Sequence, residues 1–127
     1  MSRVLVAGGP RVGKSTLAFR LATSSAVPVF GSDSLIGAYS WSDASAEVAK
    51  WYSLPGPWII EGVAVPRAIR KWLASHPTGS PADLIYYSDA PKVLRTQGQE
   101  RMGKGVSTVW AEIVDELKSR GVSIREF

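Results

Sequence analysis

The chain has 127 residues, a formal charge of +4, no cysteine and one histidine, His76. One domain spanning 1–127 is expected; disulfides and thiolate chemistry are excluded, and a zinc centre lacks ligands. No apolar run reaches the ~18 residues of a membrane span and no leader is legible, so no membrane contact and a cytoplasmic location are expected, with the basic excess favouring an anionic partner.

Apolar runs alternate with helix-like segments along the chain, the pattern of a parallel α/β sheet. Strands are expected near Val4–Ala7, Val27–Phe30, Trp58–Ile60, Leu84–Tyr87 and Val122–Ile124. Their nearly continuous apolar character suits strands covered on both faces. Right-handed crossovers bring the C-terminal ends of such strands to one edge, where open α/β sheets bind ligands. Residues just after strands are therefore the ones to search.

The first such place reads GGPRVGKST, Gly8 to Thr16, between a strand-type and a helix-type run. Gly8, Gly13, Lys14 and Ser15 satisfy the G-x-x-x-x-G-K-[ST] pattern of a P-loop. Glycines let successive N–H groups turn inward around a phosphate, and the opening helix adds its positive end. Gly8, Gly9, Pro10, Arg11, Val12, Gly13, Lys14, Ser15 and Thr16 are the expected cradle of a nucleoside triphosphate. Lys14 is expected on the β- and γ-phosphates and the Ser15 hydroxyl on Mg²⁺, so ATP and Mg²⁺ are the expected cofactors.

The second place is Gly31-Ser32-Asp33-Ser34. A carboxylate here can take the proton of an acceptor hydroxyl as it attacks the γ-phosphate; the other reading is a cap on a helix beginning Ser34-Leu35-Ile36. Tyr39 and Trp41, just beyond, are candidates for stacking on an acceptor base, and a helix start is expected at Ser42–Glu47. The third place is Glu61-Gly62, where an acid closing a buried strand beside the P-loop would bind Mg²⁺ directly or through water. Pro66 suits a first helical turn, which leaves Arg67 near the ligand edge as a substrate contact. At the fourth place, Asp89 is expected to cap a helix with Pro91 in its first turn. That helix carries Lys92, Arg95 and Arg101 as far as Gly105, a lid-like segment near 92–105 whose arginines would offset transition-state charge. A last helix, Val106–Arg120, has apolar residues at helical spacing for packing.

On these residues the chain resembles small P-loop kinases of the nucleotide and polynucleotide kinase group. GGPRVGKST, Asp33 after the second strand and Arg95/Arg101 in a lid-like segment are similar to polynucleotide-kinase-type enzymes, in which the acid activates the acceptor hydroxyl. IIEGVAVPR resembles the D-G-x-P-R element of nucleoside monophosphate kinases, with Glu61 in place of Asp and a longer spacing before Pro66-Arg67. The compact, basic chain also looks like short phage kinases, one group of which phosphorylates 5-hydroxymethyluracil in DNA within the host cytoplasm. The resemblance implies strand order 2-3-1-4-5, helices on both sides, and a nucleotide or DNA acceptor. A free nucleoside or monophosphate kinase is the alternative acceptor class. A nucleotide-dependent switch or ATPase module is the alternative of another kind; the N-K-x-D element of guanine-specific switches is missing, since the chain has no asparagine.

Overall fold

The computed structural model describes residues 2–35 and 38–127, apart from the Ser34 side chain. In chain order the elements are β1 (Arg3–Gly8), α1 (Lys14–Ser25), β2 (Val29–Gly31), a 3-10 turn (Asp33–Leu35), α2 (Trp41–Trp51), β3 (Trp58–Gly62), α3 (Val65–Ser75), β4 (Leu84–Ser88), α4 (Gln97–Ser119) and β5 (Ser123–Glu126). The five strands form one sheet in the order β2-β3-β1-β4-β5, and every pairing is parallel. The fold is thus α/β, and the expected strand order is the one found.

Strand periodicity divides the core in two. Leu5 and Ala7 of β1, Trp58 and Ile60 of β3 and Ile85 and Tyr87 of β4 join one cluster with residues of α2, α3 and α4. Val4, Val6 and Ile59 point the other way, onto Ala18, Leu17 and Leu21 of α1. β1 lies in the middle of the sheet, and Leu5, Val6 and Ala7 are wholly buried. Strands of this kind have no solvated face, which is why their sequences show no alternation. The loop that follows β1 consequently leaves from the sheet's rigid centre.

Three expectations are corrected. β2 starts later than Val27, and its Val29 and Phe30 are exposed, because an edge strand is paired on one side only and is not covered on both faces. The two helices expected across 91–120 are a single α4 starting at Gln97, with 90–96 non-helical. Thr96 sets that start through a capping box: its side chain accepts from Gln99 N at 3.2 Å, and Gln99 Oε1 accepts from Thr96 N at 2.9 Å. Asp89 therefore caps no helix. It accepts instead from the Tyr87 hydroxyl and from Ser107 Oγ, tying the end of β4 to α4. Smaller shifts are that α2 begins at Trp41, capped by Ser40, and that β5 runs on to Glu126. The expected helical continuation through Ile36 lies outside the described residues. His76 is half-buried and stacks on Trp72 with ring centroids 4.0 Å apart. No helix among the described residues is long and apolar enough to cross a membrane.

Candidate functional site

The site begins where β1 ends. Gly8 pairs with Ser88 of β4, and a Cβ on it would stand 2.5 Å from the Ser88 carbonyl oxygen and 2.8 Å from Val12 Cγ2. Only glycine fits between strand and loop there. The chain then turns through Arg11, at φ 67°, and Gly13, at φ 92°, into α1. Gly13 is the N-cap and offers no side-chain acceptor, so the first-turn N–H groups of α1 are left for another partner. Lys14 is buried, and its Nζ donates to the Gly9 carbonyl at 2.7 Å, spanning the loop. Burial is the largest influence on this amine and lowers its pKa; Asp33 and Glu61 pull it back up, and Arg95 pushes it further down.

Strand register delivers the acids. β3 lies beside β1 with Val6 opposite Glu61, so Glu61 closes its strand next to the loop. Ser15 Oγ donates to Glu61 Oε2 at 2.9 Å. Burial raises the pKa of Glu61; the Ser15 hydrogen bond opposes this, Asp33 adds to it and Lys14 opposes it. On the other side of β3, Ser32 N donates to the Glu61 carbonyl at 2.8 Å, which carries the chain from β2 across the end of β3. Gly62, at φ 141°, makes that crossing possible: a Cβ there would overlap Ser32 Oγ and lie 2.9 Å from Asp33 Oδ1. Val63 N donates to Asp33 Oδ1 at 3.3 Å and fixes the carboxylate at the mouth of the site. Ser32 is wholly buried, and its hydroxyl has no hydrogen-bond partner among the described residues.

Lys14, Ser15, Asp33 and Val63 border a cleft of about 530 Å³. Pro10, Arg11, Gly13, Lys14, Ser15 and Thr16 line one side, Asp33 and Val63 another, and Gln99 and Met102 of α4 the third. The segment before α4 rests on the loop: Lys92 N donates to the Arg11 carbonyl at 2.6 Å and Arg95 Nε to the Pro10 carbonyl at 2.7 Å. Arg101 is exposed on α4 and outside the cleft lining. Tyr39 is half exposed, and neither it nor Trp41 lines the cleft. Trp41 is covered by Arg67, whose Cζ lies 4.9 Å from the ring centroid, a cation–π contact worth about 0.5–2 kcal/mol. Arg67 Nη1 is buried with no hydrogen-bond partner among the described residues, and a Cβ on Gly105 would come 3.0 Å from Nη2. Burial chiefly, then Arg70, lowers the pKa of this guanidinium.

The structure therefore joins Lys14, Ser15, Thr16, Asp33 and Glu61 in one place. It sets Arg67 with Trp41 apart and leaves Arg101 and Tyr39 outside. Met102 is a cleft residue that the sequence placed in a lid-like segment without a role, and Gln99, for which a structural or substrate-binding part was open, lines the cleft beside it. The Val63 N–H is a further contributor, and no side-chain pattern announces a backbone donor. Gly62 directly after Glu61 was the one legible sign of a close approach there.

The donor set fits Mg²⁺. Ser15 and Glu61 supply a hydroxyl and a carboxylate, and no group of three or more His, Cys, Asp or Glu among the described residues forms a full protein cage. Mg²⁺ characteristically takes one or two protein oxygens and completes its shell with water and phosphate. A triphosphate fits the loop by the same logic, through the uncapped start of α1 and the Lys14 amine. The chain matches no protein-family model, and comparison with curated proteins gives no match.

Proposed function

We propose that the chain is a P-loop phosphotransferase that moves the γ-phosphate of ATP to a hydroxyl of a nucleotide or nucleic acid. The observation that carries this reading is the Ser15–Glu61 hydrogen bond of 2.9 Å, with Asp33 on the wall of the same cleft. The Gly8–Thr16 backbone and Lys14 bind the triphosphate, and Ser15 with Glu61 holds the metal. Bound Mg²⁺ would offset charge on the transferring phosphoryl group. Asp33, oriented by the Val63 N–H, orients the acceptor hydroxyl and takes its proton. Lys14 balances charge as the bond to the leaving oxygen weakens. Arg67, with a spare N–H and an aromatic partner, supports an acceptor that carries phosphate or a base.

The test is γ-labelled ATP with Mg²⁺ against two sets of acceptors. One set is free nucleosides and monophosphates; the other is plain DNA, 5′-hydroxyl oligonucleotides and DNA containing 5-hydroxymethyluracil. Label appearing on DNA only with the hydroxymethyl base makes this a DNA base kinase, and its DNA binding should weaken steeply with salt. Label on monophosphates alone makes it a nucleotide kinase. Steady phosphate release with no labelled acceptor would replace the transferase reading by a hydrolytic switch or motor.

A further inference from the structure

The Gly8–Thr16 loop holds a conformation that its own sequence does not favour. Arg11 is a side-chain-bearing residue in the left-handed region, where an L residue is disfavoured. The Lys14–Gly9 hydrogen bond spans the loop from within, and the segment preceding α4 holds it from outside. It caps the carbonyls of two successive loop residues, Arg11 through Lys92 N at 2.6 Å and Pro10 through Arg95 Nε at 2.7 Å. The first is a backbone donor that most residues could supply. The second depends on the side chain.

Arg95 is seated unusually for a charged surface-segment residue. Its side chain is 7% exposed, and its nearest carboxylate, Glu100, stands 4.0 Å away. The guanidinium lies between Gly9 and α4: a Cβ on Gly9 would come 2.9 Å from Nη2, and one on Gly103 would overlap Nη1 and lie 3.1 Å from Cζ. The same Gly9 Cβ would also come 2.9 Å from Gly103 Cα, so loop, guanidinium and helix are packed with no free layer between them. To reach a transferring phosphate, Arg95 would have to give up the Pro10 carbonyl and leave this slot.

We propose that Arg95 is a positioning residue: it locks the Gly8–Thr16 loop into its phosphate-binding shape from a seat that Gly103 leaves open in α4. The functional part of this inference rests on the triphosphate reading; the bracing itself does not. Gly103 thereby acquires a reason to stand inside a helix, where it is a poor former.

The experiment compares wild type, Arg95→Ala and Gly103→Ala. Backbone hydrogen exchange of residues 9–15 in the unliganded protein reads the brace, and titration with ATP and with ADP–aluminium fluoride reads its consequence. Both variants are expected to exchange roughly tenfold faster in this loop and to bind ATP roughly tenfold to a hundredfold more weakly, the scale of a lost charge-assisted hydrogen bond. The loss should be equal for ADP–aluminium fluoride, because the brace does not distinguish ground from transition state. Unchanged exchange in both variants would overturn the proposal. So would a loss in Arg95→Ala confined to ADP–aluminium fluoride, which would make Arg95 a direct transition-state contact. If Arg95→Ala does not fold, Gly103→Ala decides alone, since it keeps the charge and fills only the seat. Wild type that fails to bind ATP would sink the triphosphate reading, while the exchange comparison would still decide the bracing.

Discussion

Gly62→Ala is the substitution that most sharply probes how Asp33 is held. Two costs are readable from the structure. At φ 141° a side chain is strained, by about 1–3 kcal/mol. The new Cβ would also overlap Ser32 Oγ and crowd Asp33 Oδ1 at 2.9 Å, which forces a shift of the kind that costs about 1–3 kcal/mol in a packed interior. A total of about 2–6 kcal/mol corresponds to a fall in melting temperature of roughly 8–24 °C for a chain of this size. Gly121→Ala is the internal control, because Gly121 also has positive φ, 85°, but a Cβ there meets nothing within 4 Å. It should lose strain energy only, about 1–2 kcal/mol. Ser32→Ala removes a buried hydroxyl that has no partner among the described residues, so by itself it should be neutral or stabilising. Combined with Gly62→Ala it should recover about 1–2 kcal/mol, measured as coupling in a double-mutant cycle by thermal unfolding. If Gly62→Ala is no worse than Gly121→Ala, or the cycle shows no coupling, then Gly62 does not set the Ser32–Asp33 crossing and the account of how Asp33 is placed is wrong.

Two further outcomes follow from the site and its supports. Burial raises the pKa of Glu61 above its ordinary 4.5, so the folded chain is penalised for ionising this carboxyl, and the penalty develops as pH rises above the unfolded value. Glu61→Gln should therefore unfold at a higher temperature than wild type at pH 7, show no such gain at pH 4, and bind ATP with a weaker response to Mg²⁺; a gain as large at pH 4 would contradict the buried-carboxylate argument. Thr96→Ala removes the capping box that starts α4 and should cost about 0.5–2 kcal/mol. A melt unchanged from wild type would mean that the start of α4 is held by other contacts.

The central strands were legible because a buried parallel strand leaves an apolar run that little else explains, as Val4–Ala7 and Trp58–Ile60 did. The Gly8–Thr16 loop was legible because its glycines and its Lys14-Ser15 pair are spaced by the turn itself. α4 was misread for a physical reason. Gly103 and Gly105 look like a break between two helices, yet each stands inside one helix and leaves room for a guanidinium, Arg95 at the first and Arg67 at the second. Each such glycine costs a helix about 1 kcal/mol relative to alanine, so local propensity argued the wrong way and tertiary packing prevailed. Asp89 was misread similarly: its distance from Pro91 looked like a cap, whereas its partners are the hydroxyls of Tyr87 and Ser107, the second of them 18 positions on. The Ser15–Glu61 bond joins residues 46 apart, and only the pairing of β1 with β3 brings them together.

Whether the Gly8–Thr16 loop binds a magnesium-bound triphosphate through Lys14 decides the proposed function. Calorimetric titration of ATP into wild type and Lys14→Ala, with and without Mg²⁺, tests it most directly. Wild type is expected to bind ATP more tightly with Mg²⁺, and Lys14→Ala to bind roughly tenfold to a hundredfold more weakly while remaining folded, the loss of a buried charge-assisted contact to phosphate. Equal affinity in the two proteins, or no ATP binding by wild type with Mg²⁺ present, would contradict it.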